Sequence, residues 1–308
     1  MPGFLAHYIA GQAVLNSLHP AINKKIKSHE KLYNLGTQGP DIFFYYIPGF
    51  LRKQVRGIAP QMHKSNLGNF LMETATAAKD TPPPERDIVF AYAAGFIMHY
   101  VLDANAHPYV YACTENSTYP KIKNSSNHLK FETAIDILML KLTESKKPAE
   151  IKQWQLICAD KAEMKVAANI ITSSLNKTYA RSMKAKNVYK AMRHMCVFTR
   201  LMQSAKGRRK KIVGTMETLT IRHPLVSSLI HEQLVSDGKD YLNEKHKPWH
   251  PPWDENTCTD SFLDRFETAT KEGFEMIEIL HDYIYNNQPK EKLMLALGNR
   301  SLKTGLDT

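Results

Sequence analysis

An all-α fold, a single multi-helix domain over residues 1–308, is what this chain predicts, and three observations carry that expectation. Apolar residues recur at helical spacing along almost the whole length. No segment shows the sustained alternation of Val, Ile or Thr that marks a half-buried strand. The longest apolar run, Ile88 to Met98, belongs to one of these helical patterns and falls short of the roughly 18 residues a membrane span needs.

The elements follow in order. Leu5, Tyr8, Val14, Leu15 and Leu18 place an apolar stripe on a first helix over about Phe4 to Leu18, and a second helix follows Pro20. Gly36-Thr37-Gln38-Gly39-Pro40 breaks the pattern and opens a long aromatic loop through Phe43, Phe44, Tyr45 and Tyr46 to Pro48-Gly49. His63 is expected at the start of another helix. Thr81-Pro82-Pro83-Pro84 then forces an extended passage, because proline donates no backbone hydrogen bond. The helix carrying His99 comes next, and Asn127 reads as the N-cap of the helix carrying His128 and Glu132. Amphipathic helices continue to a last long one over roughly Asp260 to Tyr285, interrupted by the non-helical run His246-Lys247-Pro248-Trp249-His250-Pro251-Pro252-Trp253. Residues 1–135 would carry the candidate site and residues 136–308 the remaining helices of the same domain.

Composition sets outer bounds. At 43% hydrophobic and 23% charged, 308 residues bury a sizeable core. The N-terminus lacks a basic flank followed by an apolar core and a small-residue cleavage site, so a cytoplasmic protein is expected. Cys113, Cys158, Cys196 and Cys258 form no CxxC and are expected as reduced, mostly buried thiols. A formal charge of +11 attracts polyanions, phosphate esters or acidic membrane surfaces without choosing among them.

The chemistry sits in the first 132 residues, which hold seven of the thirteen histidines. His99, Asp103 and His107 are four residues apart, and each step turns a helix by about 400°, so the three share nearly one face. His128 and Glu132 repeat the spacing. Asp103 lies between Leu102 and Ala104, and a carboxylate on a core-facing surface is costly unless paired or metal-bound. A lone histidine on such a face is usually a satisfied core residue. HxxxDxxxH, HxxxE and the upstream His7, Asp41 and His63 together point instead to a metal hydrolase.

These residues resemble, in identity and order, the bacterial zinc-dependent phospholipases C, which include the clostridial alpha-toxin type and are akin to single-strand-specific zinc nucleases. The resemblance covers about the first 135 residues: His7, Asp41, His63, then His99-Tyr100 with Asp103, then His107, then His128 with Glu132. It implies one zinc ion held by Asp41, His63, His99 and Asp103, a second held by His107, His128 and Glu132, and a third sharing Asp103 with His7. It also implies Asp41 as general base for a zinc-activated water attacking a phospholipid or related phosphodiester. The secreted members complete their third site with an N-terminal tryptophan, whereas this sequence reads Met1-Pro2-Gly3. Ile42 and Pro60 stand where the choline-lipid enzymes have a tyrosine and a phenylalanine, so a choline headgroup is not implied.

Peripheral membrane contact is an expected partner relation. A nuclease on the same scaffold, or a non-catalytic helical protein stabilised by metal, are the competing readings. Oligomeric state is not legible. Phe43 to Tyr46 are expected to pack on the core in preference to walling a substrate groove, and Lys206-Gly207-Arg208-Arg209-Lys210-Lys211 to be a solvated turn in preference to a phosphate contact. The segment 246–253 is open between a lid and an ordered surface loop. Tyr100 and Asn105 are candidates for orienting the ligands, and His19, His29, His194, His223, His231 and His281 read as structural or surface residues.

Overall fold

A computed structural model describes residues 3–46, 52–115, 118, 121–202, 235 and 237–308. The expectations for Pro48-Gly49, the 206–211 basic run, His223 and His231 lie outside those residues. Among the described residues regular structure is helical, and extended pairing is confined to two isolated bridges, Trp249 with Cys258 and Arg300 with Asp307.

The organising element is α7, Glu85–Thr114, a helix of 30 residues. Glu85 and Asp87 in its first turn complement the positive end of the helix dipole. From Ile88 to Val110 it is buried at nearly every position, as expected for a helix apolar all round. It is long and apolar enough to cross a membrane, but 94% of its apolar window is buried inside the protein. Around it pack α1 (Phe4–Ser17), α2 (Pro20–Lys27), α3 (Glu30–Gly36), α6 (Leu67–Asp80), α8 (Lys121–Glu144), α10 (Lys161–Tyr179) and α12 (Phe262–Tyr285). The other α-helices described are α4 (Arg52–Arg56), α5 (Ile58–Lys64), α9 (Gln153–Ile157), α11 (Ala185–Met202) and α13 (Lys290–Leu297). One buried apolar cluster runs from Leu5 to Leu302, with α7 through its middle.

Several local expectations need correction. The aromatic loop is a 3-10 helix, Gly39–Tyr45, because Pro40 suits a helical first turn and Phe43 and Tyr46 find core positions behind it. His63 lies in the last turn of α5, not at the start of a helix. Asn127 is internal to α8: the packed part of that helix extends upstream through polar residues whose propensity cost is only a few tenths of a kcal/mol each. The three prolines turn tightly into α7, with Arg86 N donating to Pro82 O at 3.1 Å. Of the cysteines only Cys196 is fully buried, and Cys113 is exposed; all four are free thiols.

Two other helix starts follow the capping rules. Asp160 accepts from Ala162 N at 2.7 Å at the head of α10. Ser261 and Asp264 form a reciprocal capping box at the head of α12. The run His246 to Trp253 is tied down as an ordered loop: Trp249 and Cys258 exchange backbone bonds of 2.8 Å, and the Trp249 indole lies edge-on to Tyr109.

Candidate metal centre

Five segments deliver the eight expected side chains to one place. His7 comes from the first turns of α1, and that helix start is held from another element: buried Asp136 on α8 accepts from Leu5 N at 3.0 Å and Ala6 N at 2.7 Å. Gly3, the N-cap, has no side chain to do this, so the carboxylate of α8 satisfies the orphan donors and stabilises the helix dipole. Asp41 comes from the 3-10 helix and His63 from the end of α5. His99, Asp103 and His107 stand on successive turns of α7, and His128 and Glu132 on successive turns of α8. Gly39 makes the approach of the 3-10 helix to α7 feasible. Its φ is +49°, and a Cβ there would lie 2.3 Å from the His99 ring.

Asp103 is the centre of the arrangement. His7 Nε2 lies 3.2 Å from its Oδ1, and His99 Nε2 3.1 Å from its Oδ2. His63 Nε2 is 3.7 Å from the same Oδ2 and 3.3 Å from Asp41 Oδ1. On the other side, His128 Nε2 is 2.8 Å and His107 Nε2 3.8 Å from Glu132 Oε1. Three sets of donor atoms are mutually close enough to share an ion: His7, His99 and Asp103; Asp41, His63 and His99; and His107, His128 and Glu132. Six of the eight residues are buried, while His63 and His128 keep partial exposure.

The free nitrogen of four of the five rings can be deduced. His63 Nδ1 meets Ala59 O at 2.7 Å, His99 Nδ1 meets Thr37 O at 3.1 Å, and His107 Nδ1 meets Leu302 O. A carbonyl only accepts, so Nδ1 carries the proton in all three and the Nε2 lone pair is left for another partner. His128 Nδ1 is 3.3 Å from the Thr114 hydroxyl. That hydroxyl already donates to Val110 O at 2.7 Å, so it accepts here, and His128 has the same tautomer. Nε2 of His7, His63, His99 and His107, Oδ1 of Asp41 and both oxygens of Asp103 are buried without a hydrogen-bonding partner. Buried polar atoms without partners are rare, and so many converging on one spot are the signature of a cation site.

A family model described as zinc dependent phospholipase C matches residues 6–188. The chain belongs to the zinc dependent phospholipase C family. No curated protein and no solved structure matches it. The family match spans all eight candidate ligands and ends within α11.

Zinc fits the donors this family member presents. Imidazole nitrogens and carboxylate oxygens are its usual ligands, and they must be deprotonated to bind. Burial pushes His107 and His128 well below the usual histidine range, and burial together with the neighbouring His99 lowers His7. Burial also opposes protonation of His99, but the adjacent Asp103 carboxylate outweighs it and raises that ring. Asp103 itself is disfavoured as an ion by burial, yet the facing imidazoles of His107, His99 and His7 hold its carboxyl well below the ordinary value.

Residues around the centre divide differently from the sequence expectation. Tyr100 and Asn105 bond groups other than the ligand side chains: the Tyr100 hydroxyl donates to Leu297 O at 2.8 Å, and the Asn105 amide bonds Val101 O and Glu272. A one-residue step from His99 to Tyr100 and a two-residue step from Asp103 to Asn105 turn these side chains away from the ligand atoms. Phe43 and Tyr46 pack in the core, whereas Phe44 is 38% exposed with its ring 5.8 Å from that of His63. The loop of the two tryptophans reaches the centre's rim: Trp253 meets Tyr111, whose ring is 4.8 Å from His128. His29 pairs with Glu163 at 2.6 Å, joining α3 to α10. Asp136 was missed, although its place four residues beyond Glu132 in the apolar run Ala134 to Leu138 was a readable signal. The carbonyls of Thr37, Ala59 and Leu302 leave no trace in side-chain identity.

Proposed function

We propose that this chain is a zinc-dependent phosphodiester hydrolase of phospholipase C type, acting on a phospholipid or a related small phosphodiester. The observation that carries this reading is the convergence of buried, partnerless imidazole and carboxylate atoms from four segments on Asp103, with the His107, His128 and Glu132 group beside them. Asp41, His63, His99 and Asp103 would hold one ion, His107, His128 and Glu132 a second, and His7 with Asp103 a third. Zinc bound there lowers the pKa of a coordinated water toward ~7, neutralises phosphoryl oxygens and stabilises a leaving alkoxide.

The chain's own groups supply the rest. Asp103 presents one oxygen to His7 and the other to His99, so a single carboxylate ties two ligand sets together. Asp41 is the general base: it is buried beside His63, within reach of a water in that ligand set, and a positioned carboxylate both orients the nucleophile and accepts its proton. Glu132 lies on the wall of a small cleft together with Phe4, Tyr45, Leu129, Thr133 and Phe198. Its lining is mixed, with Phe4, Tyr45, Leu129 and Phe198 set against polar Thr133, Asp136 and Gln153. Phe44, exposed beside His63, adds apolar surface near the same centre.

A nuclease on the same scaffold is the second reading, supported by the formal charge of +11. Metal analysis of the purified protein, coupled to turnover of phospholipid vesicles, single-stranded DNA and bis-p-nitrophenyl phosphate, separates them. Bound zinc with lipid turnover and no DNA cleavage is the expected result. DNA cleavage selects the nuclease, and zinc without any turnover leaves a metal-stabilised structural protein.

A further inference from the structure

The C-terminal segment 299–308 lies more than a hundred residues beyond the span that the family model matches, yet it touches the candidate metal centre. It forms a compact strap. Arg300 bridges Asp307, Ser301 N donates to Leu306 O at 2.8 Å, and Thr308 N donates to Asn299 O at 3.1 Å. Ser301 and Leu302 are buried, and the rest is largely exposed.

Three kinds of contact fix the strap to α5, α6 and α7. The Tyr100 hydroxyl on α7 donates to Leu297 O and accepts from Arg300 N, both at 2.8 Å. Asn299 Oδ1 takes Gly68 N at 3.2 Å, and the Ser301 hydroxyl donates at 3.2 Å to the carbonyl of His63 itself. Gly305, at φ +71°, lies so close to α7 that a Cβ would sit 2.5 Å from Ala104 O. That carbonyl is where the α7 ladder is interrupted, since Pro108 has no N–H to offer it. Proline in the helix and glycine in the strap therefore make room for each other.

The consequence falls on His107. Its Nδ1–H donates to Leu302 O, which leaves Nε2 toward Glu132. The other acceptor near Nδ1 is Asp103 Oδ2, at 3.8 Å. Without the Leu302 carbonyl the ring would swing its proton toward that oxygen, drawing Nε2 off Glu132 and occupying an atom that His99 and His63 also face. We propose that the strap is a positioning element of the metal centre, in which the Leu302 carbonyl sets the orientation of His107 and so assembles the His107, His128 and Glu132 ligand group. This rests on the zinc reading above.

The test is zinc affinity, measured on apo full-length protein by competition with a chromophoric chelator, with cobalt absorption as a second readout. Gly305→Ala pushes the strap off α7. Tyr100→Phe removes both hydroxyl bonds without changing shape and carries the test if the glycine variant does not fold. Leu306→Ala, which alters an exposed side chain on the same strap, is the control. Orienting partners of ligating histidines typically contribute 10- to 100-fold in metal affinity. The expected result is therefore one class of zinc weakened about 10-fold or more in Gly305→Ala or Tyr100→Phe, with altered cobalt absorption, while the remaining zinc and the Leu306→Ala variant match the parent. Unchanged affinity for every ion in the folded variants overturns the positioning role, and so does equal weakening of all ions, which marks a merely structural strap. A parent protein that binds no zinc overturns the metal reading and this inference together.

Discussion

His7 and His99 stack face to face, ring centroids 4.3 Å apart and planes 17° apart, and each sends Nε2 to a different oxygen of Asp103. Two imidazoles from helices far apart in sequence thus bracket one buried carboxylate. A bridging carboxylate predicts a dissociable hierarchy of losses. Asp103→Asn should remove metal from both ligand sets that include His99, whereas Glu132→Gln should deplete only the set of His107 and His128. Zinc content of the two purified variants, measured side by side, checks this, and equal depletion in both would count against the bridge.

Asp41 is assigned two duties, ligand and base, and they separate by measurement. Asp41→Asn keeps an oxygen for coordination but cannot take up a proton as a carboxylate does. Turnover of bis-p-nitrophenyl phosphate should fall about 100-fold or more, the usual contribution of a positioned general base, with zinc content reduced far less. Matching losses of zinc and turnover would leave Asp41 as a ligand only.

Gly39 meets two constraints at once, a positive φ and the His99 ring 2.3 Å from where a Cβ would stand. Gly39→Ala should cost about 1–3 kcal/mol from backbone strain alone, with displacement of His99 added to it. Thermal denaturation of the apo protein reports the first effect and zinc affinity the second. An alanine variant with parental values for both would show that the 3-10 helix relaxes freely.

The head of α12 carries a pH-dependent contribution. Asp264 accepts from Ser261 N and Oγ, both at 2.7 Å, and the bond from the Ser261 hydroxyl, with that from its backbone, lowers the Asp264 carboxyl from its ordinary value. Because the folded state holds the proton less tightly than the unfolded chain, this contribution is complete above an unfolded pKa of about 4 and disappears as pH falls through the lower folded value. Asp264→Asn should therefore lower the urea midpoint at neutral pH, and the gap to the parent should close below about pH 4. A gap independent of pH would assign the effect to packing.

The helix start of α1 offers a remote test of site assembly. Asp136→Asn weakens the acceptor for Leu5 N and Ala6 N, and charge at a helix N-terminus is worth about 0.3–2 kcal/mol. The N-terminal turn should loosen, raising amide exchange at residues of α1, and zinc bound through His7 should weaken more than zinc bound through His128. Unaltered exchange across α1 would remove Asp136 from this role.

Much of the site was legible because metal ligation leaves a side-chain signature. His99, Asp103 and His107 recur at the helical repeat, as do His128 and Glu132, and the all-α reading rests on the same periodicity. Where the expectation failed, it failed on features set by distant partners. Tyr100 directly follows His99 in sequence, yet its hydroxyl binds Leu297 O and Arg300 N of the C-terminal segment. Phe43 and Phe44 are adjacent, yet one is buried and the other faces outward beside His63.

The sequence by itself determined the helical class, the identity of the eight candidate ligands and their order, since periodicity and residue chemistry are local properties written in side chains. Only the tertiary structure decided that His7 stacks on His99, that Asp136 anchors α1, and that the Leu302 carbonyl orients His107. The physical reason is that backbone carbonyls and amides are the same at every residue. Which of them reaches a given imidazole depends on how helices pack, and packing is fixed by the burial of the whole apolar surface at once.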